Sequence, residues 1–241
     1  METIGSFKQQ AFIPGDMNRL DRESGMLLAT VDSLAPYELA GDSYREGWTL
    51  AHVVAHLTLS ADALTEQVDA ALSGTEQPYR DKDEHLAAVE TQAKLEPAKL
   101  KQELHRAAAS FENSAAKLAG GAQSETAQCR FGDVNAYALP MMRLNEVLMG
   151  HHDLATIWEL DEADIDALED ALDAAAQIAQ LGEWPTGVTL RSTEGEEYVF
   201  GDGEVEVTGE RSALLGWLTR GLTAGVRGPE ELPPSPYRLF L

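Results

Sequence analysis

The spacing of apolar residues changes about three quarters of the way along the chain, and this change most constrains the fold. Up to about residue 182, apolar residues recur every three or four positions, as on one face of an α-helix. Beyond that point come short runs of β-forming residues between glycine-containing turns, followed by a last helical stretch. The sequence therefore predicts a mainly α protein with a helical domain at 1–182 and a small α+β domain at 183–241.

Residues of the kinds that begin and end helices divide the first domain. Four of them stand at the start of an apolar stripe: Asp16, Thr49, Pro97 and Pro140. Pro36 and Gly74 are expected to end the first two helices. Residues 122–138 are predicted to form a polar connection, and the acidic stretch 161–181 a fifth helix with one solvated face. Helices of this length favour a four-helix bundle.

Composition excludes several classes of function. The 241 residues include 41 acidic and 18 basic side chains, which gives a formal charge of −23. Such a surface repels nucleic acid and anionic membranes, so neither is expected as a partner. No apolar run approaches the roughly 20 residues of a membrane span, and the single cysteine, Cys129, excludes an intrachain disulfide framework. We expect a cytoplasmic protein in which Cys129 is an incidental thiol; the sequence leaves the oligomeric state open.

Two pairs of histidines lie on predicted helices. His52 and His56 are four residues apart on the second helix and so share a face. His151 and His152 follow Glu146 by five and six residues on the fourth helix. Facing helices that bring imidazoles and a carboxylate into a bundle core commonly build a divalent metal site. Structural roles for these histidines are the alternative, and spacing alone leaves both interpretations open.

Three segments resemble, in order, parts of one protein family. Glu46–Leu57 is similar to the start of the second helix in the DinB-like bundle family, and most closely in its mycothiol-dependent maleylpyruvate isomerase branch. Arg143–Leu154 resembles that branch's second metal-binding helix, and Val205–Gly221 resembles its C-terminal domain. The resemblance spans nearly the whole chain. It implies a DinB-like four-helix bundle followed by a small α+β domain.

The resemblance also implies a metal site. The histidine that corresponds to His56 and the glutamate that corresponds to Glu146 bind a divalent metal in the family, for which we expect zinc, whereas His52 occupies a variable place. The family's third ligand is usually a histidine four residues after the glutamate, where this chain has Gly150. We therefore predict His151 as the third ligand, provided that a π-bulge turns it onto the face of Glu146. Without that bulge only two ligands remain, and metal affinity would fall sharply.

The resemblance finally implies an activity. Members of the family use mycothiol, a low-molecular-weight thiol, as a cosubstrate. Its thiolate adds to a small electrophilic substrate. Addition and elimination would isomerise a maleylpyruvate-like double bond from cis to trans, whereas addition alone would be thiol S-transfer. Arg220 corresponds to an arginine linked to substrate binding, and we expect it to hold a substrate carboxylate. A non-catalytic binding or scaffold protein with a degraded metal site is the alternative.

Overall fold

The protein is mainly α-helical, as the sequence predicts. The computed structural model describes the backbone of residues 4–79, 81–129 and 132–235, and the side chains from residue 10 onward. The α-helices in this part of the chain are α1 (Ile4–Ser33), α2 (Leu50–Ser73), α3 (Lys82–Gln92), α4 (Pro97–Ala115), α5 (Leu139–Asp153), α6 (Ile165–Ala179) and α7 (Arg211–Arg220). The strands are β1 (Thr126–Cys129), β2 (Gly132–Asn135), β3 (Val188–Ser192), β4 (Glu197–Phe200) and β5 (Val205–Gly209).

Helices α1, α2, α4 and α5 form the four-helix bundle. Helix α2 packs on α4 and α5, and α1 packs on the same two helices. The apolar stripe of α2 lies in the core, where Val54, Leu57 and Val68 are completely buried. Burial of such side chains on each facing helix provides most of the stability of the bundle.

Most of the predicted helix ends agree with the structure. Thr49 precedes α2, and Gly74 follows it with a φ of 67°, a left-handed conformation that favours glycine. Pro97 occupies the first turn of α4. Helix α1 differs from the prediction because it begins well before Asp16. The Asp16 carboxylate does not cap a helix but accepts a hydrogen bond from Arg19 one turn later.

One helix and one pair of strands between the bundle helices were not predicted. Helix α3 begins after Asp81, whose carboxylate accepts hydrogen bonds from the backbone N–H groups of Asp83 and Glu84. It packs against α2. The predicted polar connection contains the antiparallel pair β1 and β2, and Cys129 lies buried in β1.

The second compact unit begins earlier than the predicted domain. The chain divides between Glu162 and Ala163, so α6 belongs to the second unit and not, as predicted, to the helical domain. The reason lies in packing, because α6 presents a buried apolar face and packs on α7. In the three-stranded sheet β3 lies between β4, which is antiparallel to it, and β5, which is parallel. No helix of the described residues is long and apolar enough to cross a membrane.

Candidate active site

His56 of α2 and Glu146 of α5 lie in hydrogen-bond contact inside the bundle. His56 Nε2 is 2.9 Å from Glu146 Oε2, and the two side chains are 9% and 18% exposed. The two residues are 90 positions apart in sequence, so the packing of α2 on α5 brings them together. The resemblance predicts these two residues at one site, and the structure brings them together.

A third side chain, His85 of α3, completes a chain of hydrogen bonds. His85 Nε2 is 2.9 Å from His56 Nδ1, and the two rings are nearly perpendicular. An ionised carboxylate can only accept, so His56 Nε2–H donates to Glu146. Nδ1 of a neutral His56 then lacks a proton and accepts from His85 Nε2–H. With Glu146 ionised and His56 neutral, donation therefore runs from His85 through His56 to Glu146.

An aromatic ring packs against His56 and is itself covered by a cation. The Trp48 ring meets it edge-on, with centroids 5.5 Å apart. The Arg45 guanidinium lies over Trp48, 3.5 Å from the ring centroid, which is a favourable cation–π distance. Trp48, which immediately precedes the α2 cap residue Thr49, thus packs against the candidate site.

Arg143 places a buried positive charge near Glu146. Its side chain is 2% exposed and donates from a guanidinium nitrogen to the backbone oxygen of Leu57, 3.0 Å away. Burial lowers the pKa of Arg143 to about 10, and attraction to Glu146 is the largest effect that opposes the shift. Arg143 therefore remains a cation at neutral pH and attracts the Glu146 carboxylate.

His52, the other histidine of α2, stabilises the start of the helix. Its Nδ1 accepts a hydrogen bond from the backbone N–H of Thr49 at 3.2 Å and lies 2.7 Å from the Thr49 hydroxyl. Its Nε2 faces Glu90 of α3 at 3.4 Å. His52 is thus engaged in a capping box, and the assignment of His56 in place of His52 to the site stays a prediction.

The prediction of His151 as the third ligand does not fit this geometry. Helix α5 is a regular α-helix from Leu139 to Asp153, without the π-bulge that the prediction required, so His151 is turned about 140° from Glu146. Its Nε2 is 2.7 Å from the Thr30 hydroxyl of α1, and its ring stacks on Trp158 at 4.0 Å. Burial lowers the pKa of His151 to about 4, so it is neutral at physiological pH.

The position where the family usually has its third ligand is filled by another side chain. A Cβ atom on Gly150 would lie 2.5 Å from Leu57 Cδ2 and 2.9 Å from Leu57 Cγ. Leu57 is completely buried, so it has little room to withdraw. Within residues 4–79, 81–129 and 132–235 no group of three His, Cys, Asp or Glu side chains is arranged to hold a metal ion. The side chains present therefore do not fit a three-ligand metal site.

Arg220, the predicted substrate-binding arginine, ends α7 in the second unit. Gly221 follows it with a φ of 71° and closes the helix. Its assigned role in substrate binding stays a prediction.

Sequence reasoning did not find His85 or Arg143. An N-cap signal did exist for α3, since Asp81 is followed by acidic residues in the first turn. That signal could have placed His85 on a helix, but its contact with His56 depends on how α3 docks on α2. Arg143 lies within a segment that resembles the family, yet nothing in the sequence indicates that its charge is buried.

Comparison with known proteins identifies the family. Residues 20–155 match the family described as the mycothiol maleylpyruvate isomerase N-terminal domain, and this range is more than half of the chain. The protein therefore belongs to that family. No curated protein matches the sequence.

Solved structures agree with this assignment. Crystal structures of the mycothiol-dependent maleylpyruvate isomerase and of a histidine-to-alanine mutant of it share 20% identity with the chain, with a TM-score of 0.77. Each match covers 93% of this chain and 95% of the isomerase chain. At this identity the similarity establishes the fold, which is the predicted DinB-like bundle followed by a small α+β domain.

Proposed function

We propose that the protein is a mycothiol-dependent isomerase that converts a small cis-unsaturated substrate of the maleylpyruvate type into its trans isomer. Family membership and the shared fold support this assignment. The observation that carries it is the 2.9 Å contact between His56 Nε2 and Glu146 Oε2 at the positions where the family has functional residues. The thiol and the small substrate are the partners that this function requires. A cytoplasmic location stays a prediction.

The reaction needs a base that accepts the proton of the thiol. The thiol proton passes to Glu146, the more exposed member of the pair, while His56 Nε2–H and the charge of Arg143 hold the carboxylate in place. The thiolate adds to the double bond of the substrate, and the π electrons move to the conjugated carbonyl oxygen. The resulting single bond rotates. The electrons then return from the oxygen, the C–S bond breaks, and the trans product is released. The departing thiolate takes its proton back from Glu146, so neither the thiol nor the base is consumed.

Arg220 is proposed to bind the substrate carboxylate. Its guanidinium can donate two parallel hydrogen bonds to a carboxylate, a geometry that lysine cannot reproduce. This assignment rests on the resemblance of the α7 segment to the family.

Zinc, which the resemblance implies, does not fit the side chains that the structure places here. His56 and Glu146 supply two donors, and Leu57 occupies the space of the third. The proposed reaction therefore uses protein groups and the thiol alone. Elemental analysis of protein purified without chelator or nickel resin measures the metal-to-chain ratio directly, and we expect it to lie far below one.

The test of the proposed function is an isomerase assay with maleylpyruvate and mycothiol. We expect thiol-dependent turnover that falls by at least about 100-fold in His56→Ala and Glu146→Gln, because a positioned acid or base contributes about that much. His105→Ala is the matched control, since His105 is an exposed histidine of α4 that pairs with the surface residue Asp32. Turnover that needs no thiol, or that survives both substitutions, would refute the proposal.

Two other functions are outcomes of the same assay. A stable thiol adduct in place of free trans product identifies a thiol S-transferase, since addition then occurs without elimination. The filled third-ligand position favours a non-catalytic binding protein, the alternative that the sequence leaves open. Saturable mycothiol binding without any turnover would establish that alternative.

A further inference from the structure

We infer that His85 is a positioning residue of this site, which holds the His56 ring so that Nε2–H stays directed at Glu146. The inference concerns the structure of the site first, and its effect on turnover rests on the proposed function. His85 lies in α3, a helix outside the four-helix bundle. Neither the family resemblance nor the spacing of the histidines points to it.

The hydrogen bonds of His56 are the first observation behind this inference. Both of its ring nitrogens have partners at 2.9 Å, His85 on one side and Glu146 on the other. A ring bonded at a single nitrogen can still swing or flip about its Cβ–Cγ bond, whereas bonds at both nitrogens fix its orientation. A donor at Nδ1 also requires that the His56 proton reside on Nε2. His85 therefore fixes the angle of the ring, and a proton on its Nε2 matches the His56 tautomer that Glu146 requires.

The contacts of α3 with the histidines of α2 are the second observation behind this inference. This helix is capped by Asp81 and anchored by the buried Val89, and it packs against α2. Besides His85, it directs Glu90 at His52, the other histidine of α2. Helix α3 thus supplies one polar partner to each α2 histidine. A helix that served only to cover apolar surface would not need two such contacts.

The consequence for turnover follows from orientation. Partners that orient metal-binding histidines are worth about 10- to 100-fold in activity, and we expect the loss of a partner that orients His56 to cost about tenfold or more. Because His85 touches His56 and not the reacting atoms, its loss should lower kcat and leave KM for the substrate nearly unchanged. Glutamine is the conservative replacement, since its amide N–H can donate to Nδ1 from nearly the place of the imidazole nitrogen.

The first experiment is NMR on 15N-labelled full-length protein, which needs neither thiol nor substrate. An N–H···N hydrogen bond gives a scalar coupling between the two nitrogens, so we expect a coupling between His85 Nε2 and His56 Nδ1. It should vanish in His85→Ala, return through the amide in His85→Gln, and persist in Glu84→Ala, an exposed control on the same helix. Absence of the coupling in the unsubstituted protein overturns the inference whether or not the variants fold.

The second experiment is steady-state kinetics with mycothiol and maleylpyruvate. We expect kcat to fall by about tenfold or more in His85→Ala, to recover in His85→Gln, and to stay unchanged in Glu84→Ala. Unchanged kcat in a folded His85→Ala protein overturns the inference. If the unsubstituted protein shows no turnover, the proposed function fails, and the NMR coupling still decides whether His85 positions His56.

Discussion

The contact between Gly150 and Leu57 yields a prediction about zinc. Gly150→His would restore an imidazole one turn beyond Glu146, where the family usually has its third ligand. The structure predicts that this substitution alone fails, because its Cβ would already lie 2.5 Å from Leu57 Cδ2. Forcing a side chain into this space should destabilise the protein by about 1–3 kcal/mol or more. We therefore expect no gain in zinc affinity from the single substitution.

The second change, Leu57→Ala, removes the obstruction. Alone it should cost about 2–5 kcal/mol, because Leu57 is completely buried and its loss leaves a cavity. In the double variant the imidazole fills part of that cavity, so the two losses of stability should not add. The double variant should be about 1–3 kcal/mol more stable than the sum of the two single losses predicts. With three ligands available, the double variant should bind zinc at least about tenfold more tightly than either single variant.

Urea denaturation and calorimetric zinc titration of the four proteins test this reasoning. Leu57→Ala serves as the control that enlarges the space without adding a ligand. A Gly150→His protein that is as stable as the parent, and that binds zinc as tightly as the double variant, would show that Leu57 does not block the third position.

Three further predictions concern other residues. Burial lowers the folded-state pKa of His151 to about 4, below its unfolded value of about 6.5. The contribution of neutral His151 to the free energy of unfolding is therefore fully present above pH 6.5 and is lost as the pH falls toward 4. Urea denaturation should show that lowering the pH from 7 to 5 costs the parent about 2 kcal/mol more than His151→Gln, and equal losses would contradict the shift. His52→Ala should lower stability by about 1 kcal/mol through loss of the capping box, with kcat within about twofold; a kcat loss as large as that of His56→Ala would place His52 in the site. Arg220→Lys should raise KM for the carboxylate substrate by about tenfold or more with little change in kcat, and an unchanged KM would remove Arg220 from substrate binding.

Local signals were enough to predict much of the fold. Thr49, Gly74 and Pro97 mark helix ends through the conformation and hydrogen bonding of their own residues, so neighbouring sequence suffices to interpret them. The strands of the second unit were predicted for the same reason, since alternation of β-formers between glycine turns is a local pattern. The predicted domain boundary at residue 182 was late because α6 has the same helical period whichever unit it packs against.

The candidate site was predictable only in part. The resemblance placed His56 and Glu146 together, because a family motif carries contacts that spacing cannot. It could not supply His85, whose partner lies 29 residues away on another helix. It also suggested His151, which the regular geometry of α5 instead directs at Thr30 and Trp158.

By itself the sequence determined the helical period, the helix caps, the change to strands near residue 183 and the presence of a glycine where a third ligand is usual. These features depend on residues close together in the chain, whose propensities and hydrogen bonds act over a turn or two. Only the tertiary structure decided that Leu57 fills the space beside Gly150 and that α3 brings His85 to His56. Such contacts depend on how helices dock, and docking is decided by shape and volume across the core, which no short stretch of sequence contains.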